Sequence, residues 1–145
     1  MIKKAPDSQE MMNLLKQETF PAELGAGSGF LSDSVRDFFD VEFRERKLAR
    51  ADVIRDAGIS RTYGYQILDG TRLGGRDYYL SIAIAMKLDL RTTQRMLAIT
   101  GSGGLHPLLK RDAAIIFAIN HDYDNAKLWS FMHELKLEPL DTNVG

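Results

Sequence analysis

Two glycines, Gly58 and Gly70, bracket the segment "ISRTYGYQILD", which has room for one short helix and little else. Glycine takes positive φ without steric penalty, so it can end one helix in a left-handed turn and release the chain at a new angle. Upstream, Val53, Ile54 and Ala57 recur at helical spacing and stop at Gly58, which is expected to cap that helix. Ile59 follows as an apolar plug for the corner, and Ser60 stands where an N-cap belongs. The second helix is predicted over 60–69, with Gly70 ending it. Such a corner needs further helices behind it, because short helices owe their stability to packing of an apolar face.

Those helices are legible in the rest of the 145 residues. Asp7 and Glu10 are spaced as a capping box ahead of Met11, Met12, Leu14 and Leu15. The stretch "FPAELGAGSG" over 20–29 breaks the pattern and reads as a loop. From Ser32 or Ser34 a helix is expected with Val35, Phe38, Phe39 and Phe43 on one stripe. "RDYYLSIAIAMKLDL" reads as a buried helix, and "TTQRMLAIT" as another, ended by a flexible "GSGG" hinge at 101–104 and by Pro107. Two more helices are expected around 112–120 and 124–135, the last with Leu128, Trp129, Met132 and Leu135 on one face. No stretch alternates convincingly between apolar and polar, so the fold class is all-α. The expected organisation is an N-terminal helix and loop over 1–31, a helical domain over 32–100, and a helical extension over 101–145.

On a wheel of about 100° per residue, Gly64, Ile67 and Leu68 share one side of the second corner helix and Thr62 and Gln66 lie opposite. Arg61 and Tyr65 flank one edge of the polar side, and Tyr63 lies on the other. Gly64 in mid-helix costs about 1 kcal/mol relative to alanine, which a close approach to the preceding helix near Ala57 would explain. Net charge is -1, but its distribution is uneven. Residues 44–76 hold 8 basic and 4 acidic side chains, whereas residues 1–43 hold 4 basic and 8 acidic. The one basic block therefore contains the corner, the arrangement expected of a nucleic-acid surface. The bland alternative is a solvated charged face, with Tyr63 and Tyr65 as core aromatics and Arg61 as a helix-end charge.

"AGISRTYGYQILDGTR" resembles the phage-repressor-like (XRE-type) helix-turn-helix family of transcriptional regulators, in a variant with extra C-terminal helices. The resemblance covers roughly residues 48–97. It implies a lambda-repressor-like five-helix domain, here with added N- and C-terminal helices, and double-stranded DNA as partner. Carried over by position, it implies that Arg61, Thr62, Tyr65 and Gln66 face bases. By the same carry-over Arg50, Ser60, Tyr63, Thr71 and Arg72 touch the phosphate backbone. Gly64 departs from the branched apolar residue usual in the family, Tyr63 and Tyr65 are bulkier than its small polar residues, and Leu68 replaces its glutamate.

Other chemistries find little support. There is no cysteine, hence no thiolate metal site or nucleophile. His121 near Asp122 and Asp124 raises the question of a metal, but no two histidines stand four apart, and none is expected. The glycine-rich stretches lack the Lys-Ser/Thr of a phosphate loop, and no serine sits in a nucleophile elbow. An enzyme or a bound cofactor is not expected. The polar start and the absence of a long apolar run point to a cytoplasmic protein. The last two helices are expected to pack back on the core with most of their apolar surface, the alternative being a homodimer or partner interface anchored by Trp129, Phe131 and Met132. The alternative to a DNA reader is a protein-interaction module, antitoxin-like or kinase-associated, that keeps the same fold.

Overall fold

The computed structural model describes residues 8–18 and 34–142, and among them it contains eight α-helices and no strand. No helix of the described residues is long and apolar enough to cross a membrane. The chain divides into two units, with the boundary between residues 32 and 33. In the first, α1 (Ser8–Leu14) carries a Gln9 to Asn13 side-chain hydrogen bond along its surface. The expected Asp7 capping residue and the loop over 20–29 lie outside the described residues.

In the second unit the Ser34 hydroxyl accepts from the Asp37 amide and so caps α2 (Val35–Arg46). Phe38, Phe39 and Phe43 line its buried face, and the Phe39 ring stacks 6.4 Å from that of Tyr79. The next pair, α3 (Arg50–Asp56) and α4 (Arg61–Leu68), forms the corner. Behind it α5 (Arg76–Met86) is the centre of the core, with Tyr79, Leu80, Ile82 and Ala83 all completely buried. The remaining helices are α6 (Leu90–Ile99), α7 (Lys110–Asn120) and α8 (Asn125–Glu134). α5 packs against α3, α6 and α8, so the C-terminal helices share one core with the corner. Ile115, Leu128 and Met132 are fully interior in that shared core.

Two cross-links fix α5 to α7 at their first turns. Arg76 makes a bidentate pair with Asp112, both bonds at 2.9 Å, and Arg111 makes one with Asp77 at 3.1 and 2.9 Å. Arg76 also donates to the Gly103 and Gly104 carbonyls, and the Gln94 amide bonds Leu105 through both N–H and C=O. The 101–104 segment is thereby tied down rather than left as the hinge its glycines suggest. The final segment returns over the unit: Arg111 holds the Glu138 and Pro139 carbonyls, and the Thr142 hydroxyl donates to the Gly58 carbonyl. Asn125, at the start of α8, donates to the carbonyls of Asp56 and Ser81.

Helix ends carry an unusual residue choice. Lys47, Lys87 and Lys136 adopt φ of 56°, 57° and 59°, left-handed values that glycine reaches more easily. At Lys47 the Leu48 amide closes α2 onto the Phe43 carbonyl at 3.1 Å. Lys47→Gly is expected to raise the unfolding free energy by about 0.5–1 kcal/mol, relief of left-handed strain outweighing glycine's larger unfolded-state entropy. Urea titration checks this, and a variant weaker than the parent would show that the lysine stabilises the turn by other means.

Candidate nucleic-acid interface

The corner is built as its sequence implies. Gly58 adopts φ 72°, its amide donates to the Arg55 carbonyl, and the Ile59 amide returns to the Ile54 carbonyl at 3.2 Å. This double closure ends α3 and turns Ile59, 6% exposed, into the core. On α4, Gly64, Ile67 and Leu68 form the buried side. Gly64 does sit at a close approach to the preceding helix, where the nearest atoms belong to Ile54, one turn before Ala57. A Cβ at Gly64 would lie 2.6 Å from Ile54 Cγ2 and 2.8 Å from its Cγ1. Ser60 occupies the N-cap position without a capping side-chain hydrogen bond, so the expected cap is absent and its hydroxyl stays on the exposed side.

The opposite side of α4 faces solvent. Arg61 and Thr62 are exposed, and Tyr65 and Gln66 are half-buried. The Arg61 guanidinium carbon lies 5.9 Å from the centre of the Tyr65 ring, so the four candidate base-reading side chains lie on the outer side of one short helix. Tyr63 on the other edge is partly a core residue, its ring edge-on to Tyr78 at 4.9 Å. Its outer face carries the Arg72 guanidinium carbon, 5.9 Å from the ring centre. Each tyrosine packs on the core, as the bland reading expects, and each ring also lies beside an arginine.

Carboxylates engage several of the remaining candidates. Asp69 accepts from the Thr71 amide at 3.0 Å and from the Thr71 hydroxyl. That hydroxyl, then the amide, holds the Asp69 carboxyl below its ordinary range, so it is a fixed negative charge at the end of α4. Arg50 donates to Asp40 of α2, with its guanidinium carbon 4.7 Å over the Phe43 ring. Arg46 pairs with Glu42 at 2.9 Å, and Arg55 with Asp52 and Asp56. Arg76 belongs to the α5–α7 cross-link. Of the eight basic residues over 44–76, Arg44, Lys47, Arg61 and Arg72 form no ion pair among the described residues. Two of those four, Arg61 and Arg72, flank α4.

The candidate partner anchors separate. Met132 is completely buried, so it belongs to the core and cannot anchor a partner. Its burial follows from its place with Leu128 on the inner side of α8. Phe131 is half-buried in a ring cluster, 5.5 Å from both Phe117 and Tyr123. Only Trp129 stays open, at 54% exposure, with its ring stacked on His133. His121 stacks on Phe117 at 3.9 Å, and its Nδ1 lies 2.8 Å from the Phe117 carbonyl.

Sequence reasoning missed Asp40, Asp112 and Asn125, each of which acts through a partner distant in the chain. No family model, no curated protein and no solved structure matches this chain.

Proposed function

We propose that this chain is a sequence-specific DNA-binding regulator of lambda-repressor-like helix-turn-helix type, with α4 entering the major groove. The observation that carries the reading is the two-sided α4. Gly64, Ile67 and Leu68 anchor it, Gly58 sets its departure angle, and Arg61, Thr62, Tyr65 and Gln66 are presented outward. Arginine and glutamine are side chains that pair bidentately with guanine and adenine edges. Arg72, and Arg50 once released from Asp40, sit at either end of the corner to neutralise phosphates. A single small module makes few contacts, so the protein acts as a homodimer on paired half-sites, in the cytoplasm.

The test is a titration against duplex DNA from upstream of its own gene, beside a scrambled duplex, at two salt concentrations. Preferential binding that weakens steeply with salt supports the reading, and equal or absent binding overturns it. The double variant Arg61→Ala, Gln66→Ala is expected to lose at least about tenfold in affinity for the native duplex, since each bidentate base pairing is worth about 1–3 kcal/mol of discrimination. Unchanged preference for the native duplex would remove both residues from the readout.

A second reading, a protein-interaction module, is favoured by Trp129 at 54% and Leu108 at 87% exposure. An apolar interface of that kind would hold its partner with little dependence on salt.

A further inference from the structure

Arg50 is a donor placed to meet a phosphate, yet in the free protein its guanidinium already has an anion. Asp40 Oδ1 accepts from it, and the Phe43 ring supports it from one side. Through Oδ2 the same carboxylate lies 3.7 Å from Arg36 Nε. Arg36 in turn lies beside the end of α4, where a Cβ on Gly70 would stand 3.6 Å from the Arg36 amide nitrogen. Asp40 therefore links a cation at the start of α3 to one beside the end of α4. The side chains of Asp40 and Arg50 are 45% and 36% exposed, so a phosphate arriving from solvent can reach the pair.

We infer that Asp40 is a built-in competitor for backbone phosphate, occupying Arg50 in the free protein and opposing its transfer to DNA. The inference rests on the DNA-binding reading. A carboxylate and a phosphate present similar oxygen pairs to a guanidinium. An incoming phosphate must displace Asp40 or bind next to its charge, and either lowers affinity. Because phosphates carry no sequence information, the loss falls on all duplexes alike. The residue thus shortens non-specific residence and leaves base readout to α4.

The experiment measures Asp40→Asn against the native upstream duplex and a scrambled duplex at two salt concentrations. Asp52→Asn, which removes another exposed acid and leaves Arg55 paired with Asp56, measures the general effect of one fewer negative charge. Both are repeated with Arg50→Gln. Asp40→Asn is expected to bind both duplexes about two- to fivefold tighter, the range of a surface ion pair, with the salt slope steeper by about one phosphate. Asp52→Asn gains less, and in Arg50→Gln the Asp40→Asn gain falls to the Asp52→Asn level. A gain equal to that of Asp52→Asn, or one that persists without Arg50, overturns the inference. Parent protein that binds DNA with Asp40→Asn unchanged overturns the inference alone. Parent protein that binds neither duplex overturns the reading and the inference with it.

Discussion

Asp112→Ala is expected to destabilise the protein by about 3 kcal/mol, towards the lower end of the range for stranding one partner of a buried ion pair. Asp112 is 3% exposed, whereas its partner Arg76 retains 25% side-chain exposure, so the stranded guanidinium recovers part of its hydration. The change also removes the acceptor of the His106 amide and frees the loop that Arg76 binds at Gly103 and Gly104. Hydrogen bonds from Arg76 hold the Asp112 carboxyl below its ordinary range, against the desolvation that would raise it. A carboxyl whose folded-state pKa is depressed contributes stability above its unfolded value of about 3.9, and that contribution is lost as pH falls through the folded value. Urea titrations of parent and Asp112→Asn at several pH values from about 6 downward check this: the parent should lose more stability on acidification. Parallel acid limbs would place the acid sensitivity elsewhere.

Gly64→Ala is the second large effect. Alanine should favour an exposed helix site by about 1 kcal/mol over glycine. Here its methyl would lie 2.6–3.0 Å from Ile54 Cγ2, Cγ1 and Cδ1. Two of those atoms branch directly from Cβ and cannot swing aside without moving α3. Overpacking of this kind costs about 1–3 kcal/mol, so a net loss of up to about 2 kcal/mol is expected after the propensity gain. Ile54→Ala removes all three contacting atoms. Added to Gly64→Ala it should cost less than the two single losses combined, because one methyl fills part of the space the other change opens. Additive losses would mean that the two helices do not meet at Gly64. On the proposed DNA-binding reading, Gly64→Ala should also weaken binding to the native upstream duplex beyond its effect on stability, since separating α3 from α4 tilts the outward side chains together.

The helical class was legible because apolar stripes such as Phe38, Phe39 and Phe43 repeat at helical spacing, and the corner because positive φ at Gly58 leaves its mark on residue choice. The buried side of α4 was legible for the same reason. Its close approach to the preceding helix was legible as well, but that Ile54 supplies the nearest atoms is set by the packed register, which sequence does not carry. The ion pairs were not legible at all. Arg-Asp occurs four times, at 36–37, 55–56, 76–77 and 111–112, yet only the last two cross-pair between helices. The others engage residues on their own or adjacent helices. Likewise the resemblance assigns Arg50 to a phosphate, while Asp40, ten residues earlier, reaches it only once α2 and α3 fold against each other. Met132 and Trp129 share an apolar identity but not a face, and their fates differ because α8 docks by its Leu128 side.

The hydrogen bond from Thr142 to Gly58 has a consequence for synthesis. Its two ends are 84 residues apart, which at about 5–20 residues per second corresponds to roughly 4–17 s of translation. Asn125, which secures the Asp56 carbonyl, also arrives late, 69 residues after it. The α3–α4 corner therefore leaves the ribosome seconds before the segments that fasten it. Throughout that interval the Asp56 and Gly58 carbonyls have neither the Asn125 amide nor the Thr142 hydroxyl that bonds them in the finished fold, so the corner first forms on its own local closures.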